Sequence, residues 1–165
     1  MSTELTPEQE KKVQERLRDE KFSAWAYILK IMKRHYGEEV YEIFVEEEQK
    51  EWILQQWSKK AEELRDNSIE ALLKILWGTS EQKGGSHEYT VEETEERFQI
   101  RCTKCRGYEI AKRLEITEQM YYWACAGDKY IAEGFNPNIG FRRTKTLMEG
   151  DDCCDNFYYY KDKNK

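Results

Sequence analysis

Five cysteines, Cys102, Cys105, Cys125, Cys153 and Cys154, fall in the C-terminal part of a 165-residue chain, and none lies before them. A thiol that ionises is both a nucleophile and a metal ligand, so this clustering is the first mark of a site. An odd number of cysteines argues for free thiols and against a disulfide framework. The imidazoles are few, His35 and His87, and no H-E-x-x-H run occurs, which leaves little room for a zinc hydrolase built on histidine. There is no G-x-S-x-G elbow, no glycine-rich phosphate loop and no G-x-G-x-x-G run. Serine-triad acyl transfer, ATP chemistry and dinucleotide redox therefore lack their usual carriers. What remains is chemistry done by Cys, Asp, Glu, Arg and Tyr.

Cys102, Cys125 and Cys154 fall at a strand end, on a helix and on a second strand, so the three can meet at one end of a sheet. Asp128 follows Cys125 by one helical turn, which sets a thiol and a carboxylate on one face. Arg142 and Arg143 alternate along a strand, so one of them faces inward. A guanidinium beside a thiol favours the thiolate and also suits a substrate carboxylate. The plainer alternative is core packing, because free cysteines are among the most buried residues, and it weighs most for Cys105 and Cys153. Cys102-Thr103-Lys104-Cys105 has zinc-knuckle spacing, the competing reading. Its second half would have to come from the vicinal pair Cys153-Cys154, whose side chains diverge on a strand. The expectation is no metal and no cofactor. Asp151, Asp152 and Asp155 lack the spacing of a calcium loop. His87 follows a Gly-Gly-Ser run and reads as a surface bystander.

The elements that must position these residues follow from periodicity. Thr6-Pro7-Glu8-Gln9 is a helix entry with a capping box, and Phe22, Trp25, Ala26, Ile28, Leu29 and Met32 carry one apolar face toward a stop at Gly37. A second helix runs from about 40 to 64 through Phe44, Ile53 and Trp57, and a third from Ile69 to Trp77 behind Asn67-Ser68. Residues 80–86 read as a flexible connector. Alternation then predicts strands over 87–92 and 95–102, helices over 105–114 and 117–131, the latter with a weak capping box at Thr117, and a hairpin of strands 139–148 and 154–160. The class is α+β: an N-terminal helical layer, 7–78, packed on a small antiparallel sheet with inserted helices, 86–160, which carries the site. A single domain spanning 1–165 is expected, since neither half looks able to close a core alone.

With 27 Lys+Arg against 33 Asp+Glu the net charge is −6, which argues against nucleic acid or an anionic membrane as the main partner. No apolar run is long enough to span a bilayer, and the N-terminus lacks the pattern of a secretory signal, so a cytoplasmic protein is expected. A homo-oligomer stays open.

Four pieces of the C-terminal half, Arg101-Cys102, Cys125-Ala126-Gly127-Asp128, Arg143-Thr144-Lys145-Thr146-Leu147 and Gly150-Asp151-Asp152-Cys153-Cys154-Asp155-Asn156-Phe157, together resemble the L-2-amino-thiazoline-4-carboxylic acid hydrolase family. That family is similar in a strand-end Cys, a Cys-x-x-Asp on a helix, an Arg-Thr-x-Thr strand and a closing Gly-Asp-x-x-Cys-Asp-Phe. More distantly, the arrangement resembles the vinyl-reductase type of small-molecule-binding domain, in which such positions hold zinc. Here Arg143 and Thr146 stand where two of those ligands are expected.

The resemblance implies a hydrolase that opens a cyclic amidine or thiazoline carboxylate to a carbamoyl-cysteine-like product, without a cofactor. Cys154, Cys125 and Asp128 are the catalytic candidates; Arg143, Thr144, Thr146 and Cys102 are the substrate-binding ones. A water activated by Asp128 is the alternative to a cysteine nucleophile. Asn156 departs from the motif by standing between Asp155 and Phe157, and the expectation is a bulge there. A non-catalytic binding module and a helical docking protein displaying Trp52 and Trp57 are the competing functions.

Overall fold

The computed structural model describes residues 5–78, 87–94 and 97–161. The connector expected over 80–86 lies outside them. Thr6 caps helix α1 (Pro7–Tyr36) with the expected box: its hydroxyl accepts from the Gln9 amide, and the Gln9 side chain accepts from the Thr6 amide. Gly37, at φ +84°, ends it. Helix α2 (Glu39–Ile43) runs on through a π-helical turn, Phe44–Gln49, into α3 (Lys50–Leu64). Ser68 caps α4 (Ile69–Trp77). Strands β1 (His87–Thr94) and β2 (Arg97–Cys105) follow, then helices α5 (Arg106–Arg113), α6 (Thr117–Ala124) and α7 (Asp128–Phe135), then β3 (Ile139–Arg142) and β4 (Cys154–Tyr160).

The four strands form one antiparallel sheet in the order β1-β2-β4-β3. The expected α+β class is the one observed. Ile53, Trp57, Ile69 and Leu72 from the N-terminal helices meet Phe98, Ile100 and Tyr158 of the sheet and Phe135 of α7 in the main core. A smaller cluster joins Ala26 of α1 to Ala111, Ile116 and Met120. Burial of this kind contributes roughly 25 cal/mol per Å² of apolar surface removed from water, and it fixes the helices against the sheet. Trp57 belongs to this core, whereas Trp52 is exposed. No helix among the described residues is long and apolar enough to cross a membrane.

Two expected elements differ in a way that builds the site. The helix expected over 117–131 is two helices, broken at Cys125–Gly127, because the chain there passes against α3. A side chain at Gly127 would have its Cβ 2.6 Å from Ile53 Cδ1, and one at Gly134 would meet the Leu54 carbonyl oxygen at 2.8 Å. Thr117 does not cap; Ile116 holds the N-cap position without a side-chain bond. The strand expected over 139–148 stops at Arg142. Beyond it the Thr144 and Lys145 amides donate to Asp155 Oδ1 at 2.8 and 2.7 Å, and the Thr146 amide donates to Asp151 Oδ2 at 2.8 Å. These carboxylates take the place of a strand partner, and a short 3₁₀ turn, Leu147–Glu149, completes the segment.

Candidate functional site

Cys154, Asn156 and Tyr158 share one face of β4, as the period of two requires, and Cys102 lies directly across from Cys154 on β2. That face forms one wall of a cavity of about 300 Å³. Cys105, where β2 turns into α5, Cys125 at the end of α6, and Asp128 in the first turn of α7 form another part. Arg143, Trp77 and His87 close it. Four thiols, a carboxylate and a guanidinium therefore line one space at the low end of the size range of small-molecule sites.

Arg143 is the inward member of its pair. Its Nη1 donates to Asp128 Oδ2 at 2.5 Å and its Nη2 to the Cys125 carbonyl oxygen at 2.9 Å. Arg142 points the other way and lies over the rings of Tyr159 and Phe157. Burial opposes the Arg143 charge, but Asp128 more than offsets it, so the guanidinium stays charged beyond its ordinary range. Burial pushes the Asp128 carboxyl above the usual carboxylate range against the pull of Arg143. That is the direction a base working near neutral pH requires.

The thiols differ. Burial pushes Cys102 up to about 12, and its Sγ–H donates to the Lys104 carbonyl at 3.2 Å. Cys105 is raised by burial while the amides of Tyr108 and Gly107 pull it down. Burial holds Cys125 well above the ordinary thiol range; the charge of Asp128 adds to this and Arg143 opposes it. The Cys154 sulfur accepts the Leu147 amide at 3.4 Å and lies 3.6 Å from Thr146 Oγ1, to which its S–H donates. Cys153 is fully buried away from the cavity.

Of the residues chosen from sequence, Cys102, Cys125, Cys154, Asp128 and Arg143 line this cavity, and the two threonines do not. Thr144 donates its hydroxyl to Asp155 Oδ2 at 2.6 Å and lines a separate cavity of about 430 Å³ on the far side of Arg143. Thr146 is buried, and its hydroxyl accepts the Met148 amide at 3.2 Å, which places it behind Cys154 as a support. Trp77 is a cavity residue that the sequence pattern does not mark; Cys105, read there as core packing or half of a zinc knuckle, and His87, read as a surface bystander, line the cavity as well. Burial lowers the His87 pKa. The expected bulge at Asn156 is absent: β2 and β4 pair residue for residue through Ile100 and Asn156, and the side chain is buried in the wall.

Neighbouring elements set the loop that carries Cys125 and Asp128. The π-helical turn places Gln49 so that its Nε2 donates to the Trp123 carbonyl at 2.9 Å, and places Glu46 to accept from the Tyr130 hydroxyl and, at 2.8 Å, from Lys129 Nζ. Among the described residues no three of His, Cys, Asp and Glu are grouped to hold a metal ion together.

None of the curated proteins compared with the chain matches it. The family signal is of a different reach from the short motifs around Cys125, Arg143 and Cys154. It runs over residues 14–158, from the first third of α1 almost to the end of β4, and so takes in every element that bounds the cavity. The chain belongs to the L-2-amino-thiazoline-4-carboxylic acid hydrolase family.

Proposed function

We propose that the protein is a small-molecule hydrolase that opens a cyclic amidine or thiazoline carboxylate, giving a carbamoyl-cysteine-like product from a 2-aminothiazoline ring. The observation that carries this reading is the convergence of Cys154, Cys125 and Cys102 with the Asp128–Arg143 pair around one small cavity.

The chemistry divides among these residues. Carbon 2 of a 2-aminothiazoline is bonded to two nitrogens and the ring sulfur, and it is electrophilic when the amidine is protonated. The Cys154 thiolate adds to that carbon, the bond from carbon 2 to the ring sulfur breaks, and the sulfur leaves with a proton as a free thiol. Water then attacks the same carbon, the bond to Cys154 breaks and restores its thiol, and the exocyclic amino group stays bonded to that carbon as the urea nitrogen, so that one water is consumed overall. Arg143 has five N–H groups, of which two contacts are spent on Asp128 and the Cys125 carbonyl, so donors remain for a substrate carboxylate. Asp128 fixes the guanidinium plane and, with its raised pKa, is placed to take a proton from the attacking water. Cys102 and Cys125 shape the wall. The substrate is a free small molecule, and the reaction calls on no cofactor, nucleic acid or membrane.

One observation favours a second reading, a binding module without turnover: burial raises Cys102, Cys105 and Cys125, and Asp128 is already engaged. The two are separated by incubating purified protein with thiazoline, hydantoin and amidine carboxylates and following mass and new thiol. Gain of the mass of one water with release of a thiol supports the hydrolase. Saturable binding with no change in mass supports the module.

A further inference from the structure

Asn156 is 4 % exposed, and its Oδ1 is buried with no hydrogen-bond partner among the described residues. An unmet polar atom is uncommon inside a fold and costs stability, so it asks for an explanation. Its place supplies one. Asn156 shares the cavity-lining face of β4 with Cys154, two residues along, which separates their Cα atoms by ~7 Å.

Resting on the hydrolase reading of this cavity, we propose that Asn156 is its specificity residue. Its side-chain oxygen accepts an N–H from an amino or amidino group on the ligand carbon that faces Cys154, so that donor-bearing cyclic amidines are selected over oxo- or alkyl-substituted rings of equal size. The spans agree: a carbon ~3–3.5 Å from Cys154 Sγ carries its amino nitrogen to within the ~2.9 Å of a hydrogen bond to the next same-face position. A site built to satisfy a substrate N–H rejects the analogue that lacks it, because its own acceptor is then left unmet.

The test uses two thiazole-4-carboxylates, whose aromatic ring resists opening: the 2-amino and the 2-methyl compounds, titrated calorimetrically into the full chain. The wild type is expected to prefer the 2-amino probe by about tenfold or more. Asn156→Leu, close in shape and apolar, brings the two affinities within about twofold of each other, while Asn156→Asp, which keeps the acceptor, retains the preference. In the absence of probe Asn156→Leu unfolds at a higher temperature than the wild type, since the unmet oxygen is gone. A preference that survives Asn156→Leu overturns the inference alone, as does a wild type that binds both probes equally. Where Asn156→Leu does not fold, loss of the preference in Asn156→Asp overturns it and retention supports it. A wild type that binds neither probe overturns the hydrolase reading and this inference with it.

Discussion

Arg143 ties the segment after β3 to the first turn of α7: its Nη1 lies 2.5 Å from Asp128 Oδ2, and its Nη2 reaches the Cys125 carbonyl at 2.9 Å. One planar side chain thus fixes the break between α6 and α7, on which both Cys125 and Asp128 depend. A lysine keeps the charge but cannot hold two acceptors in the plane of a fork. Arg143→Lys is therefore expected to lower the affinity for thiazole-4-carboxylate by more than about tenfold, against less than about twofold for the outward Arg142→Lys, by titration calorimetry. Equal losses contradict the assignment.

The same pair has a cost when broken. Arg143→Leu leaves a mostly buried carboxylate without its partner and is expected to lower stability by about 3 kcal/mol in urea unfolding. Replacing both residues, Arg143→Leu with Asp128→Leu, recovers most of that loss. A single variant within about 0.5 kcal/mol of the wild type contradicts the pairing.

Alkaline pH reads the burial of Cys102. Its folded value of about 12 stands above the ordinary 9.0, so the fold favours the neutral thiol. The contribution to stability is complete below pH 9 and is lost as pH rises from there through about 12, at up to about 1.4 kcal/mol per pH unit. Cys102→Ala removes this slope. Stability curves for the two proteins that run parallel between pH 9 and 10.5 contradict it.

Thiol order reads exposure and local donors together. Cys102 and Cys153 are buried, whereas Cys154 is partly exposed and accepts the Leu147 amide. Limiting iodoacetamide near neutral pH is expected to modify Cys154 first, followed by peptide mass analysis. First labelling at Cys102, Cys105, Cys125 or Cys153 contradicts this order.

Much of this was legible in the sequence for a physical reason: α3, α4 and the strands β2 and β4 bury residues at the spacing of their elements, and that spacing leaves a period. The segment from Arg143 to Leu147 misleads, because Arg143, Lys145 and Leu147 alternate like a strand while the backbone amides of Thr144 and Lys145 are taken by Asp155, and that of Thr146 by Asp151, from across a turn. The break at Gly127 is set by contact with Ile53, distant in the chain, and leaves no local signal beyond the glycine itself. Within the site, Cys102, Cys125, Asp128, Arg143 and Cys154 stand in short motifs that chemistry explains. Trp77 and His87 do not, because they reach the cavity from α4 and β1, and only the folded packing brings them there. Asn156 was visible as an oddity in a motif, and the regular register of β4 shows that it faces inward and is not a bulge.

Ring opening by Cys154 is measured by the release of thiol from 2-aminothiazoline-4-carboxylate under steady state. One new thiol and the mass of one water gained per substrate consumed are expected from the wild type and from the Cys153→Ser control, with at least about a thousandfold loss of kcat in Cys154→Ser at unchanged fold. Wild-type turnover that Cys154→Ser retains in full, or no thiol release by the wild type at any substrate concentration, contradicts it.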